Sequence, residues 1–422
     1  MSFCGLDFGT SNSTIGIYKN QTVEMVTLDD NKNYLRSAIF LNNETRQAMF
    51  GEKAIEEYID GTAGRLMTSI KSVLGSSLMD EKTLVFGNLV PFSDILGYFL
   101  RNMKDQAEAQ LGQPIDSVVM GRPVRFNDKD DKIDQAAEER LRQIVSQEGF
   151  KHIEFQYEPI AAAITYAKTV TKEELALIVD IGGGTSDFTL IKVTPSDQEN
   201  KTHILSSAGV HIGGTDFDRL LSYHHVMPSF GLHSTIRSVN GSDIDVPTSY
   251  YRNLSTWHKI NDLYAKTTLI DIKRFLAFSN DKALTGRLIK LLDEKQGHNL
   301  LQQVEIAKKE LSDHSQISLD LSFVEDDLAL ILKRSDFENV IANDLETINA
   351  VITKLLNDSS VKAGQVNAVF FTGGTTRVNV LQREVLGLFK NARVVRGDVF
   401  NSVAMGLSTE ALRKFGPDKR AT

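Results

Sequence analysis

The feature that most constrains this chain is a hairpin motif written twice. Residues 175–181 form an apolar run that carries Asp180, residues 182–185 are Gly-Gly-Gly-Thr, and residues 186–192 alternate apolar with polar. Such a run reads as a buried strand and the alternating stretch as its partner, with glycine at the bend. The start of the chain repeats the plan: Leu6-Asp7-Phe8, then Gly9-Thr10-Ser11-Asn12, then an alternating return to Tyr18. Asp7 matches Asp180 and Gly9 matches Gly182. Glycine bends the backbone sharply and lets a ligand approach its N–H groups. A carboxylate stands before each bend, and Asp187 follows the second one. Backbone donors for phosphate oxygens, with carboxylates that hold Mg²⁺ through its waters, are what a phosphate-and-metal site needs. A plain glycine turn flanked by solvated aspartates is the alternative for one copy; the second copy weighs against it. Two such hairpins facing each other would grip one polyphosphate from both sides.

The internal similarity extends beyond the hairpins. In the first half, residues 23–28 read as a third strand and 37–92 as an irregular inserted lobe. Helix 93–111, closed by Gly112, strand 117–121, charged helix 128–148, strand 153–155 and a helix opening at Glu158-Pro159 complete it. The second half offers hairpin 175–193, strand 202–210, an insertion at 219–335, a long helix 336–356, strand 368–372, a helix to 389, strand 393–395 and helix 402–414. This order predicts an α/β fold of two lobes, each a βββαβα-type core of sheet with helices on its faces and an inserted outer subdomain. The lobes are expected at 1–174 plus 397–422, with outer subdomain 37–92, and at 175–396, with outer subdomain 219–335. A central cleft between them would take the ligand.

Length and composition agree. At 422 residues the chain suits two or three domains, and 41% hydrophobic content supports a sizeable core. A net charge of −8 argues against a general nucleic-acid binder. The one cysteine, Cys4, lies in the first apolar strand, excludes an internal disulfide framework and fits a reducing compartment. The N-terminus lacks the pattern of a secretory signal, and no apolar run is long enough to span a bilayer. The expectation is a cytoplasmic protein without membrane or nucleic-acid partners.

Three further stretches stand out. Leu66, Ile70, Val73 and Leu74 make a helical apolar stripe ending at Gly75, with Lys71 at its edge, either a snorkelling surface lysine or a site residue. In 300–312, Leu300, Val304, Ala307 and Leu311 form a buried stripe, so Glu305, Lys308, Lys309 and Ser312 share the opposite face. That face reads on spacing alone as solvated, with a Glu305–Lys309 pair. Trp257, Tyr250, Tyr251 and Tyr264 form an aromatic group, either a small core or a peptide-binding surface. The nine histidines show no metal-ligand spacing, and His224-His225 reads as surface.

Taken together, the motifs resemble the nucleotide-binding domain of the 70-kDa heat-shock proteins. Those are Asp7-Phe8-Gly9-Thr10-Ser11-Asn12-Ser13, Glu158-Pro159-Ile160-Ala161-Ala162-Ala163, Asp180-Ile181-Gly182-Gly183-Gly184-Thr185-Ser186-Asp187 and Gly213-Gly214-Thr215-Asp216-Phe217-Asp218, in the family's order. Glu305-x-x-Lys308-Lys309-x-x-Ser312 and Gly373-Gly374-Thr375-Thr376-Arg377 look like its two adenosine segments. Met120-Gly121-Arg122-Pro123-Val124, Gln156-Tyr157-Glu158-Pro159 and residues 397–403 are closer to the YegD-type members. The resemblance implies an actin-like ATPase (ribonuclease H-like) fold with ATP or ADP and Mg²⁺ in the cleft. It implies that Thr10, Ser11 and Asn12 meet the phosphates from one side and Gly183, Gly184 and Thr185 from the other, with Gly9, Gly182, Gly213, Gly214 and Thr215 in the same nucleotide-binding set. Asp7 and Asp180 would hold the Mg²⁺ water shell, Lys71 would reach the γ-phosphate, and Glu158 would orient water or metal. Glu305, Lys308, Lys309, Ser312, Gly373, Gly374, Thr375 and Arg377 would hold ribose and adenine.

Departures from the pattern bear on function. Pro123 matches the family's switch proline, but Asp131 stands where a relay arginine is found eight residues on, and Phe400 replaces an adenine-pocket aspartate. The insertion at 219–335 is longer than usual, and no linker or peptide-binding domain is expected after the last helix. The reading is a slowly ATP-hydrolysing, chaperone-type switch acting on an unidentified protein partner or client. A sugar-type small-molecule kinase and an actin-like filament-forming ATPase are the alternatives on the same fold.

Overall fold

The two hairpins fold into two sheets of the same plan. A computed structural model describes residues 2–74, 81–126, 130–168, 170–195, 203–237, 241–396 and 401–416. In the first sheet the strands run in the order His152–Tyr157, Ser117–Arg122, Phe3–Phe8, Asn12–Lys19, Thr22–Met25, and Leu35–Arg36 also pairs with Asn12–Lys19. In the second the order is His203–Val210, Ser186–Val193, Glu174–Ile181, Ala368–Thr372, Arg393–Arg396. Each sheet is therefore a three-stranded antiparallel meander extended by two parallel strands. The parallel strands need crossover helices, which cover the sheet faces.

Two buried clusters hold these sheets. One joins the first sheet's inner residues Leu6, Phe8, Ile15 and Ile17 to the helix Phe92–Leu111 through Ile95, Leu96 and Phe99. The other gathers Phe3 and Val119 from the first sheet and Ile178, Ile191 and Phe370 from the second around Ala161, Ala162, Ala163, Val403 and Leu407. The helices Glu158–Ala167 and Ser402–Phe415 thus share one core with both sheets. They pack closely because position 406 is glycine: a Cβ there would come within 1.9 Å of the Ala161 carbonyl oxygen.

By contacts the described chain divides into two compact units. The first is 1–211, 349–376 and 384–422 and contains both sheets; the second is 212–348 and 377–383. The second is mostly helical, including Gly214–Leu221, Lys266–Leu276, Lys282–Asp293 and Gly297–Asp313, with the hairpin Gln316–Asp320/Ala329–Lys333. Its core includes Phe217 against Phe337, with ring centroids 6.4 Å apart, and the buried Leu300, Val304 and Leu311.

Some sequence expectations need correction. The stripe at 66–74 is not a helix: Gly64–Thr68 is a strand paired with Ala38–Asn42, followed by one 3-10 turn, Ile70–Val73. Ser69, at φ +54°, breaks the chain between them. The lobe at 37–92 is regular: a sheet of Gln47–Phe50, Ala38–Asn42 and Gly64–Thr68, the helix Gly51–Ile59, and a hairpin Lys82–Val85/Asn88–Pro91. The long helix expected at 336–356 is two helices, Arg334–Val340 and Ala342–Asp358, with buried Ile341 between them. The third strand of the first half ends at Met25, and the charged helix starts at Asp131 behind an Asp130 cap. Gly75, residue 128, residue 202 and Phe400 lie outside the described residues.

Candidate functional site

A buried serine builds the approach to the first hairpin. Ser37 donates its backbone N–H to Ser11 O (2.8 Å) and its hydroxyl to Gly9 O (2.7 Å), and its carbonyl accepts from Ser69 N (3.2 Å). One residue thus ties the turn at Gly9, Thr10, Ser11 and Asn12 to the end of the strand Gly64–Thr68. The 3-10 turn that follows presents Lys71, with Ile70 and Leu74 buried on either side as anchors. Lys71 Nζ donates to Glu158 Oε1 at 2.8 Å, and the two side chains are only 10% and 14% exposed. Glu158 opens its helix straight from the parallel strand His152–Tyr157, with Pro159 in the first turn where a missing N–H is harmless. Of the two readings of Lys71, the snorkelling surface lysine is excluded by this burial and pairing.

The hairpins bring their aspartates to the same place. Asp7 stands opposite Thr14 in the first hairpin, and Asp180 opposite Asp187 in the second. Burial, then Glu158, push the Asp7 carboxyl up to about 7, with Lys71 opposing. Asp180 is held well above the usual carboxylate range by burial, then Asp187, Glu158 and Asp7. Burial works against the charge of Lys71, but Glu158, Asp7 and Asp180 outweigh it and raise the ammonium above its ordinary value. Three carboxyl groups therefore act on one ammonium, a fourth, Asp187, acts on Asp180, and the cluster is short of positive charge.

That shortage is the test of fit for a cation. Hard carboxylate oxygens suit Mg²⁺, which keeps several of its waters. Among the described residues no three His, Cys, Asp or Glu side chains form a direct ligand set. The turn leaves open space where a Gly184 side chain would begin, with no atom within 4 Å, while the Gly182 N–H is taken up by Thr185 O at 3.0 Å.

Residues 373–376 lie against this turn. Gly373 has φ +82°, and a Cβ on it would come 2.6 Å from Asp180 Oδ1. Thr375 Oγ1 donates to Gly182 O at 2.7 Å. A cavity beside the cluster is lined by, among others, Glu158, Asp180, Asp187, Thr372, Pro123, Val124 and Arg125. Asp187 is the carboxylate that follows the second bend in the sequence, whereas Thr372 carries no motif signal beyond its place at the end of a parallel strand.

The remaining candidates fall in the second unit. Gly213, Gly214 and Thr215 form the start of the helix Gly214–Leu221, where Gly213 N donates to Asp216 Oδ2 at 3.1 Å. Lys308, expected on a solvated face, is buried instead and donates to Gly214 O (3.0 Å) and Asp218 Oδ2 (2.8 Å). Burial lifts the Asp218 carboxyl to about 6 although Lys308 opposes it. Glu305 and exposed Lys309 do form the expected pair, at 2.8 Å. The Ser312 carbonyl accepts from Arg334 Nη2 (3.2 Å) and Asn379 Nδ2 (2.6 Å), which brings Ser312 to the segment carrying exposed Arg377. The aromatic group is a partly buried cluster: Trp257 and Tyr264 pack on His298, with Tyr251 fully buried nearby in sequence. His224 is exposed, while His225 is half-buried with an inward Nε2.

Each of the two sheets bears an aspartate at its hairpin bend, and the Lys71–Glu158 pair interacts with both; the family match that follows implies the actin-like ATPase fold for this plan. The family model described as "Hsp70 protein" matches residues 85–242 and 277–412. The chain belongs to the Hsp70 family, and it carries that family's ATP-binding, chaperone-type nucleotide-binding domain. Members bind ATP or ADP with Mg²⁺ and, in general, client proteins. The matched spans include Glu158, the second hairpin, Gly213–Thr215, Glu305 to Ser312 and Gly373 to Arg377; Asp7, Gly9 to Asn12 and Lys71 precede them. Among the described residues no helix is long and apolar enough to cross a membrane.

Proposed function

We propose that this chain is a YegD-type relative of the 70-kDa heat-shock proteins that binds Mg-ATP, hydrolyses it slowly and passes its nucleotide state to a protein partner in the cytoplasm. The observation that carries the reading is the buried Lys71–Glu158 pair set among Asp7 and Asp180. Lys71 is held charged and immobile, so its field costs no reorganisation when negative charge develops on a transferring phosphoryl group. Glu158 orients that ammonium and accepts from it. Asp7 and Asp180 would hold Mg²⁺ through water, and the ion when bound would neutralise phosphate charge. The turns at Gly9–Asn12 and Gly182–Thr185 supply backbone donors. Catalysis on this reading is positioning plus electrostatics, as phosphoryl transfer requires. The lobe division at 1–174 with 397–422 and 175–396, and the adenosine role of Glu305, Lys308, Lys309, Ser312 and Arg377, belong to the same proposal.

Calorimetry with Mg-ADP tests it. Saturable binding is expected, weakened by Gly374→Trp, which fills the turn beside Thr375. No heat and no thermal shift at millimolar nucleotide would reject it. ATP-dependent phosphorylation of a small metabolite would replace hydrolysis by a kinase reading.

A further inference from the structure

We propose that Arg122 is a positioning residue for the Lys71–Glu158 pair. Its guanidinium is buried at the end of the parallel strand Ser117–Arg122, in register with Tyr157, the residue before Glu158. Nε donates to Pro123 O at 3.1 Å and Nη2 to Val124 O at 3.4 Å. Nη2 also meets Asp134 Oδ2 at 3.0 Å, and Nη1 pairs with Glu138. The other Asp134 oxygen accepts from Phe126 N at 2.5 Å. The guanidinium carbon Cζ lies 5.2 Å from the ring centroids of both Phe126 and Tyr157. One side chain therefore binds the 123–126 strap, the helix Asp131–Gln147 and the Tyr157 ring at once.

What it fixes is the launch of Glu158. Tyr157 is the residue immediately before the helix Glu158–Ala167, with extended backbone, so its ring, held beside the Arg122 guanidinium, sets where the Glu158 stem leaves the sheet. Behind it, Gly121 leaves the stem room: a Cβ there would lie 3.2 Å from Glu158 Cγ. The strap held by Arg122 is also the wall of the cavity that Glu158, Asp180 and Asp187 face. Lysine cannot replace this arginine, because a point charge cannot fork to two carbonyls and two carboxylates while stacking on two rings.

The consequence for turnover rests on the hydrolytic reading above; the consequence for Lys71 does not. The test is acetylation of the whole protein with a lysine-selective ester, followed by mass spectrometry of each site. Arg122→Met should speed acetylation of Lys71 by about tenfold through local opening, while buried Lys104 and Lys308 stay as protected as in the wild type. Tyr157→Leu, which leaves the buried charges in place, should expose Lys71 in the same selective way and decides the matter if Arg122→Met does not fold. Arg122→Lys should not restore protection. Both folded variants should hydrolyse ATP more slowly while keeping wild-type Mg-ADP affinity. Lys71 protected as in the wild type, a uniform rise at all three lysines, or full rescue by lysine would overturn the proposal. A wild type that binds no nucleotide would reject the hydrolytic reading and leave the acetylation result to decide the role of Arg122.

Discussion

Lys308 and Lys309 are adjacent in sequence and opposite in consequence. Lys308 is buried against Asp218 and Gly214 O, whereas Lys309 is exposed and pairs with Glu305. Removing one partner of a buried pair leaves the other charge uncompensated, and exposed pairs are worth little. Lys308→Met should cost about 3 kcal/mol by chemical denaturation, and Lys309→Ala less than about 0.5. Equal costs would contradict a buried Lys308–Asp218 pair. The sequence placed both on one polar face because helical spacing sees only its own helix. Lys308 lies four residues after buried Val304, and what draws it inward, Asp218, is 90 positions away. Asp218 itself was legible as the last residue of the Gly213–Asp218 motif, but its partner was not.

At the scale of elements, two helices show how packing sets tolerance. The helix Ser402–Phe415 approaches Glu158–Ala167 through Gly406, where any side chain meets backbone that cannot yield. Gly406→Ala should destabilise by about 2 kcal/mol or more. Gly286→Ala, in the exposed middle of Lys282–Asp293 with nothing within 4 Å, should stabilise by about 0.5 to 1 kcal/mol. Denaturant midpoints of the two variants should move in opposite directions.

The second residue of the helix Gly297–Asp313 is His298, buried under Trp257 at 4.8 Å between ring centroids and bonded through Nε2 to Trp257 O at 3.1 Å. Burial pushes its imidazole down to about 4, with the Trp257 carbonyl opposing. The unfolded chain takes up this proton below about 6.5, the folded one only near 4, so the contribution of this one group to stability falls as pH drops through that window, by up to about 3 kcal/mol. Trp257 is the only tryptophan, so its fluorescence reports the loss directly. The raised carboxyls of Asp7, Asp180 and Asp218 favour the folded state as pH falls, but they are common to the wild type and to His298→Gln. The denaturant midpoint of the wild type relative to that of His298→Gln should therefore be lower at pH 5 than at pH 7; a difference between the two proteins that does not change with pH would contradict this.

For the molecule as a whole, the repeated hairpin was legible because every residue it needs lies within a dozen positions, and the matching sheets follow from it. The path of Lys71 was not. Leu66, Ile70 and Leu74 fall at helical spacing, yet Gly64–Thr68 is drawn into a strand by pairing with Ala38–Asn42, and Ser37 directs the turn from 28 positions beyond Gly9. The break at Ile341 was hidden for a similar reason: a buried residue continues the apolar pattern whether or not the helix does. Candidate carboxylates could be named from the motifs, but their shared shortage of positive charge is a property of the folded cluster. The measurement that tests that cluster most directly is single-turnover hydrolysis of Mg-ATP by the wild type and by Lys71→Ala, with Mg-ADP affinity measured alongside. Loss of a charge that acts mainly on the transition state lowers turnover far more than affinity. The account predicts turnover reduced by about a hundredfold or more, with affinity within a few-fold of the wild type; unchanged turnover in the variant would contradict it.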